Sequence, residues 1–262
     1  MLLKNKVAVV LGASAEAGCG WAIARRFAAE GAKVIVGARR KEPLKKLAEI
    51  TNGTAVACDV TKEDQVAAVA KLAVNTYGRL DIACNAAGLA SGGTIKNTPT
   101  EVVVQSMDTN FYANLYFIRH MAEAMDRGGS IIVFSSIAAT HVLEHVYSYG
   151  VAKAATDCLV QYAANEFGPH GIKVNSILPG AIRTEMSSAM WAVQGMEEAW
   201  SKEVPLGRIG TPDDFADAAL WLAGPSFVTG LNLHVSGGNQ VTFCPRAEAR
   251  PAMEAVDPTN GL

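Results

Sequence analysis

Short runs of apolar, largely β-branched residues alternate along this chain with longer stretches in which apolar positions recur every three or four residues. The runs KVAVVL (6–11), KVIVG (33–37), TAVAC (54–58), LDIAC (80–84), SIIVFSS (130–136), IKVNSIL (172–178) and GLNLHVS (230–236) predict strands. The stretches between them predict helices over Trp21–Glu30, Pro43–Ile50, Glu63–Tyr77, Ser148–Phe167 and Pro212–Ala223, with a long one across Thr100–Met125. Parallel strands need a crossover connection, usually helical, and strands buried on both faces read as unbroken apolar runs. The alternation therefore predicts an α/β fold: a doubly wound parallel sheet of about seven strands with helices on both faces. No repeat or linker divides the chain, so one domain is expected over 1–244. The segment 245–262, with Pro251 and Pro258 and no periodicity, is read as a C-terminal tail.

Composition narrows the class of function. The 262 residues are 50% hydrophobic and 18% charged, with a formal net charge of −2. A protein that tracks phosphate backbones carries a basic excess, so no nucleic-acid partner is expected. Lys4 and Lys6 interrupt the N-terminal apolar segment before a signal-peptide core can form, and no apolar run approaches the roughly 20 residues of a membrane helix. Five scattered cysteines (19, 58, 84, 158 and 244), without a C-x-x-C pair, suggest neither a disulfide framework nor a metal site. A cytoplasmic protein is expected.

Ligands of doubly wound sheets bind beyond the carboxyl ends of the strands. After the first predicted strand comes VVLGASAEAGCGWAIARRF (9–27), where Gly12, Gly18 and Gly20 open a helix. Glycines there let backbone approach a pyrophosphate, and the helix N-terminus offers unpaired N–H groups. Such a pattern alone also fits an ordinary turn. After the second strand, Ala38 stands where an NAD-preferring site carries an acidic residue for the ribose 2′-hydroxyl, and Arg39 and Arg40 follow. A guanidinium pairs with a 2′-phosphate in bidentate fashion, so NADP(H) is favoured over NAD(H), with Arg39 as the main contact. Glu16, an acid inside the loop, argues the other way. Asp59 follows the third strand and Asn85, Ala86 and Gly88 close the fourth, either as turn residues or as parts of the same site.

The segment SYGVAK places Tyr149 and Lys153 four apart on a predicted helix, hence on one face. A lysine cation beside a tyrosine favours the phenolate and draws the phenol down from its ordinary value. Ser136, at the end of the fifth strand, offers a hydroxyl to a substrate carbonyl. Tyr149 would exchange the proton while a nicotinamide carries the hydride.

Together these residues resemble the short-chain dehydrogenase/reductase family, in the branch with a Tyr-x-x-x-Lys site. The resemblance runs from about residue 5 to residue 240 and takes in the Gly12/Gly18/Gly20 loop, CDV (58–60), NAAG (85–88), Asn110 in MDTNF, Ser136, YGVAK (149–153) and PGAIRT (179–184). It implies a single-domain Rossmann fold and a catalytic tetrad of Asn110, Ser136, Tyr149 and Lys153, with Asn110 holding a water in a proton relay. It also implies cofactor contacts from Gly12, Ser14, Gly18, Cys19, Gly20, Arg39, Arg40, Asn85, Ala86, Gly88, Tyr149 and Lys153, with Lys153 on the nicotinamide ribose. Asp59 and Val60 would meet the adenine, and Pro179, Gly180, Ile182 and Thr184 the carboxamide side. A homotetramer that pairs the helices at 100–126 and 148–167 is implied as well.

The loop departs from the family's usual G-x-x-x-G-x-G by two extra residues. Its five-residue gap is similar to that of enoyl-acyl-carrier reductases, a divergent branch that spaces Tyr and Lys further apart. Tyr147 stands six before Lys153, one short of that arrangement, whereas Tyr149 fits the common spacing. The expectation is a divergent cofactor loop over a carbonyl-reducing site.

The segment between Thr184 and Pro212, about 185–211, is read as a substrate lid. Met186, Met190, Trp191, Val193, Met196 and Trp200 would give it an apolar surface suited to a bulky ketone or alcohol, with His141 and His145 near the pocket. Two other readings compete. One is a 3-oxoacyl-carrier reductase that docks an acidic carrier on Arg127 and Lys173; the other is a sensor that binds NADP without turnover.

Overall fold

The computed structural model describes residues 1–242; the expected tail lies outside them. Seven strands, β1 (Val7–Leu11), β2 (Lys33–Ala38), β3 (Thr54–Ala57), β4 (Ile82–Asn85), β5 (Gly129–Phe134), β6 (Ile172–Pro179) and β7 (Asn232–Val235), form one sheet in the order 3-2-1-4-5-6-7. Every neighbouring pair is parallel. The order reverses between β1 and β4, and a crevice at such a switch point is where these sheets bind ligands.

Each central strand serves two cores because successive side chains point to opposite faces. Ala8, Val10, Val34, Val36, Ile132 and Phe134 pack under α1 (Cys19–Ala29), α2 (Lys41–Thr51) and α9 (Pro212–Ala223). Val7, Val9, Leu11, Ile35, Ile131 and Val133 pack under α3 (Glu63–Tyr77), α5 (Ala113–Glu123) and α6 (Tyr147–Phe167). Chemical punctuation fixes the helix ends. Helix α9 opens on a capping box in which Thr211 and Asp214 satisfy each other's backbone, with Pro212 at the start. Helix α3 carries Glu63 and Asp64 in its first turn and stops at Gly78, whose φ of 74° is left-handed.

The helix expected across Thr100–Met125 is broken. Helix α4 (Thr100–Met107) runs into a π-helical turn, Asp108–Tyr112, before α5 begins. The turn frees the Asn110 carbonyl, which accepts from Thr156 Oγ1 at 2.7 Å and Asn114 Nδ2 at 2.9 Å. The fifth strand is also shorter than expected, ending at Phe134 and leaving Ser135 and Ser136 beyond the sheet.

The segment 185–211 is a separate excursion built from two short helices, α7 (Ser188–Trp191) and α8 (Met196–Lys202). A bridge between Ile182 and Gly210 closes its base.

Candidate active site

The first loop is a tight backbone crossing. Gly12 has φ +75°, and a Cβ there would lie 2.3 Å from the Ala87 nitrogen; one on Gly20 would lie 2.5 Å from the Gly12 carbonyl. These glycines let the first loop, the NAAG loop and α1 converge at the switch point. The two extra residues are taken up by a turn in which the Gly18 amide donates to Ala15 O at 2.9 Å. Glu16 pairs with Lys46 at 2.8 Å, so its charge is balanced within the protein. Helix α1 has no acid in its first turn and no side-chain cap, which leaves its positive end free to receive an anion. Cys19 stands at that end as a thiol that burial pushes up to about 12.

A cleft of about 690 Å³ opens between this loop and the segment at 183–192. Ser14, Glu16, Ala17, Arg40 and Pro43 line one wall, and Arg183, Thr184, Glu185, Ser188, Trp191 and Ala192 the other. Its size suits a cofactor-class ligand. Arg39 is exposed beside the Asp59 carboxylate, which feels its charge. Arg40 instead lies along the cleft, donating from Nε to Ser14 Oγ at 3.2 Å and from both Nη atoms to Glu185 at 2.7 and 3.2 Å.

Several residues expected to contact the cofactor also have partners within the protein. The Asp59 carboxylate accepts from the Thr61 amide and hydroxyl at 3.0 and 2.8 Å, an Asx turn. Asn85 is buried; its Nδ2 donates to Asn114 Oδ1 at 2.8 Å, and its Oδ1 accepts from the Ala87 amide at 3.2 Å. It shapes the NAAG turn that carries Ala86 and Gly88. Val60 is buried beside Cys58 in the core below. Gly180 crosses Ser236 closely, since a Cβ there would lie 2.8 Å from the Ser236 Cβ. The Ile182 carbonyl accepts from Ser187 Oγ and Trp191 Nε1 at 2.7 and 2.8 Å, and Thr184 Oγ1 lies 3.1 Å from Ser187 Oγ. Ser187 is thus a hub at the lid's root that no sequence motif flagged.

The four residues of the expected tetrad come together past the ends of β4 and β5. Lys153 is 2% exposed, donates from Nζ to the Phe134 carbonyl at 2.7 Å, and lies 5.5 Å from the Tyr149 ring centroid. Ser135 Oγ donates to the Lys153 carbonyl at 3.2 Å, fastening α6 to the end of β5. Ser136 caps the short turn Ile137–Ala139 by accepting from the Ala138 amide at 3.1 Å, and it also hydrogen-bonds the Tyr149 phenol. Asn110 is fully buried. Its side chain accepts from the Leu89 amide at 3.1 Å and donates to the Leu89 carbonyl at 2.9 Å, so it holds the loop after β4. A Cβ on Gly88 would sit 3.4 Å from Asn110 Oδ1 and 3.7 Å from Lys153 Nζ. It is Tyr149, not Tyr147, whose ring the lysine approaches.

The electrostatics differ from the expectation in one respect. Burial pushes the Tyr149 phenol up, with the Ser136 hydrogen bond working against it, and burial pulls Lys153 down to about 8. Desolvation outweighs the Ser136 hydrogen bond. Tyr149 therefore rests as a neutral hydroxyl, the form that donates a proton.

The lid corrects a second expectation. Met196, Trp191 and Trp200 are buried, and with Ile209, Met190 and Val193 they make the lid's own small core instead of an open apolar surface. The two indoles meet edge to face at 6.4 Å. Trp191 still lines the cleft, and Met186 is exposed. His141 is tied at both ring nitrogens, to Thr140 Oγ1 at 3.0 Å and the Gln240 carbonyl at 2.8 Å. Lys173 does not face a carrier: its ammonium donates to the Leu222 and Gly224 carbonyls and Ser226 Oγ at 2.9, 2.6 and 3.0 Å. Arg127 lies 3.7 Å from its neighbour Asp126.

Comparison with known proteins gives this geometry a class. A family model described as enoyl-(acyl carrier protein) reductase matches residues 12–240. The chain belongs to the short-chain dehydrogenase/reductase family. It is 35% identical to the mitochondrial borneol dehydrogenase of Lavandula x intermedia, over 90% of this chain and 91% of that one. It is also 35% identical to the 3-oxoacyl-[acyl-carrier-protein] reductase FabG of Chlamydia muridarum, over 90% and 98%. A short-chain type dehydrogenase/reductase from Mycobacterium ulcerans superposes with a TM-score of 0.89 at 30% identity, covering 95% of this chain and 94% of that one. The protein is an oxidoreductase of this family, whose members use nicotinamide cofactors. No helix among the described residues is long and apolar enough to cross a membrane.

Proposed function

We propose that the protein interconverts a secondary alcohol and a ketone on a bulky apolar small molecule, with NADP(H) as the redox partner. The observation that carries this reading is the convergence of Tyr149, Lys153, Ser136 and Asn110 past β4 and β5, in a chain that also has a cleft between the first loop and residues 183–192.

The residues present fit a nicotinamide dinucleotide. The glycine crossing and the uncapped end of α1 would receive the pyrophosphate, and Arg39 and Arg40 the 2′-phosphate. Lys153 would meet the nicotinamide ribose, and Thr184 the carboxamide. When bound, the cofactor supplies a hydride to the carbonyl carbon and is itself oxidised by two electrons. The protein's own part is proton chemistry. Ser136 Oγ hydrogen-bonds the carbonyl oxygen and orients it toward Tyr149. The Tyr149 hydroxyl gives its proton to that oxygen as the carbonyl π bond breaks, leaving a phenolate that the Lys153 ammonium stabilises. Phe134 O and Ser135 Oγ hold Lys153 at its two ends. Asn110 fixes the loop above it and is assigned the water of the proton relay.

Support for an apolar substrate comes from the loops. Ile95, Val142 and Met186 are 80%, 98% and 56% exposed, on the segments that follow β4, β5 and β6. Those segments are where a doubly wound sheet presents its substrate, and exposed apolar side chains gathered there suit an apolar ligand. The borneol dehydrogenase relative points the same way. The exposed Val104, Tyr112, Val151 and Tyr162, on α4, the π turn and α6, support a homotetramer that pairs these helices.

The test is oxidation of NADPH by the purified protein against ketones ranging from short aliphatic to polycyclic. Turnover concentrated on bulky apolar ketones is the expected result. No turnover on any ketone, with NADPH still bound, would overturn the reading in favour of a carrier-bound substrate or a sensor.

A further inference from the structure

Ala38 leaves the end of β2 without the carboxylate that would contact a ribose, yet a carboxylate reaches this place from the far side of the cleft. Glu185, 145 residues further along the chain, accepts from both Arg40 Nη atoms at 2.7 and 3.2 Å. Arg40 Nε donates to Ser14 Oγ at 3.2 Å, so three elements meet at one guanidinium: the glycine loop, the β2–α2 corner and the root of the lid. All three residues line the cleft. The neighbouring charges are committed elsewhere. Glu16 pairs with Lys46 at 2.8 Å and Arg183 pairs with Glu197. Glu185 is thus the carboxylate in direct contact with the arginine.

Magnitudes decide what such a contact does. Both side chains are 51% exposed, and an exposed pair shifts an equilibrium by at most about fivefold. That is enough to keep Arg40 from a weak competitor and too little to keep it from a strong one. A ribose hydroxyl is uncharged and cannot displace a carboxylate from a guanidinium. A 2′-phosphate carries close to two negative charges and three acceptor oxygens, and it pairs with arginine in the same bidentate geometry.

Building on the reading of the cleft as a nicotinamide-dinucleotide site, we propose that Glu185 is a specificity-determining residue acting as an internal competitor for the 2′-phosphate. Without a 2′-phosphate, Glu185 holds Arg40 and links the lid to the β2–α2 corner. NADP(H) must exchange that carboxylate for its own phosphate, and afterwards the displaced carboxylate remains nearby as a like charge. NAD(H) leaves the pair in place. Glu185 therefore lowers the preference for NADP(H) below what Arg39 and Arg40 alone would give.

The experiment measures dissociation constants of NADPH and NADH by titration for the wild type, Glu185→Gln, Arg40→Gln and the double variant. Glu185 is exposed, so its substitution leaves the core intact, and thermal melting checks this directly. The expected result is NADPH tightened about fivefold by Glu185→Gln, the equivalent of the upper end of an exposed ion pair, with NADH unchanged. Arg40→Gln weakens NADPH, and in the double variant the effect of Glu185→Gln shrinks to what the like charge alone contributes. A ratio of NADPH to NADH affinity that Glu185→Gln leaves unchanged, or lowers, overturns the inference while the dinucleotide site stands. A wild type that binds neither dinucleotide overturns the site itself.

Discussion

Lys153 Nζ stands 5.5 Å from the centroid of the Tyr149 ring while giving a 2.7 Å hydrogen bond to the Phe134 carbonyl. The lysine is therefore anchored by the end of β5 and not by the tyrosine it serves. Its position is set by the sheet, and Tyr149, one helical turn earlier on α6, is brought to it by helix geometry.

Tyr149→Phe keeps the ring and removes the proton donor. Ketone reduction is expected to fall by at least ~100-fold, the lower end of what a positioned general acid contributes, while NADPH affinity stays within a few-fold. NADPH oxidation and a binding titration read the two effects separately. A variant that retained a tenth of the wild-type rate would show that the proton comes from elsewhere.

The pH dependence of reduction follows from two opposite shifts. Burial raises Tyr149, so its hydroxyl stays protonated throughout the neutral and mildly alkaline range. Burial lowers Lys153 to about 8, so its charge is present below that pH and lost as pH rises through it. Reduction should be flat on the acid side and descend near pH 8, and the limb should vanish, with most of the rate, in Lys153→Met. A rate that held steady to pH 10 would mean the lysine's charge is not required.

Much of this was legible in the sequence because period carries it. Seven apolar runs with helical stretches between them specify the doubly wound sheet, and Glu63–Tyr77 and Pro212–Ala223 are bounded by the signals that stop and start helices, Gly78 in one case and Thr211–Pro212 in the other. The π turn at Asn110 was not legible, since the partner that takes up the freed carbonyl, Thr156, comes from a helix distant in the chain. Nor was the inward turn of Trp191, Met196 and Trp200, because an apolar stripe does not say which surface it will cover. The Arg40–Glu185 pair joins residues far apart in the chain and leaves no local signature at all. The direction of the Tyr149 shift was not legible either: spacing puts a cation beside the phenol, but how deeply the phenol is buried depends on packing.

Arg39 and Arg40 are predicted to share the 2′-phosphate unequally. Arg39 is exposed near the Asp59 carboxylate, whereas Arg40 donates two hydrogen bonds to Glu185. Arg39→Ala should weaken NADPH about tenfold or more, the loss of one charge-assisted contact, and should leave NADH nearly untouched. Dissociation constants measured at one fixed ionic strength provide the check, since screening alters any such contact. Equal losses for the two cofactors would place Arg39 away from the 2′-phosphate.

Asp81 is predicted to be the acid-sensitive fastening of the sheet. Its carboxylate is buried just before β4 and accepts from the Val7 amide at 2.9 Å, Lys6 Nζ at 3.2 Å and Arg79 Nε at 2.8 Å, so it joins the start of β1 to the start of β4. Burial works to raise this carboxyl, but the hydrogen bonds from Arg79, Val7 and Lys6 outweigh it and hold the group below the usual carboxylate range. A carboxyl depressed in the folded state favours folding at pH values above its unfolded value of about 3.9, and that contribution is lost as pH falls through the folded value. Asp81→Asn should therefore cost about 2 kcal/mol at neutral pH, the scale of hydrogen bonds to a charged group, and the difference from wild type should shrink below about pH 4. Urea unfolding at a series of pH values from neutral to acid measures both parts of the prediction. A gap between variant and wild type that stayed constant down the series would mean the carboxylate's charge contributes nothing, and that Asp81 acts through its shape alone.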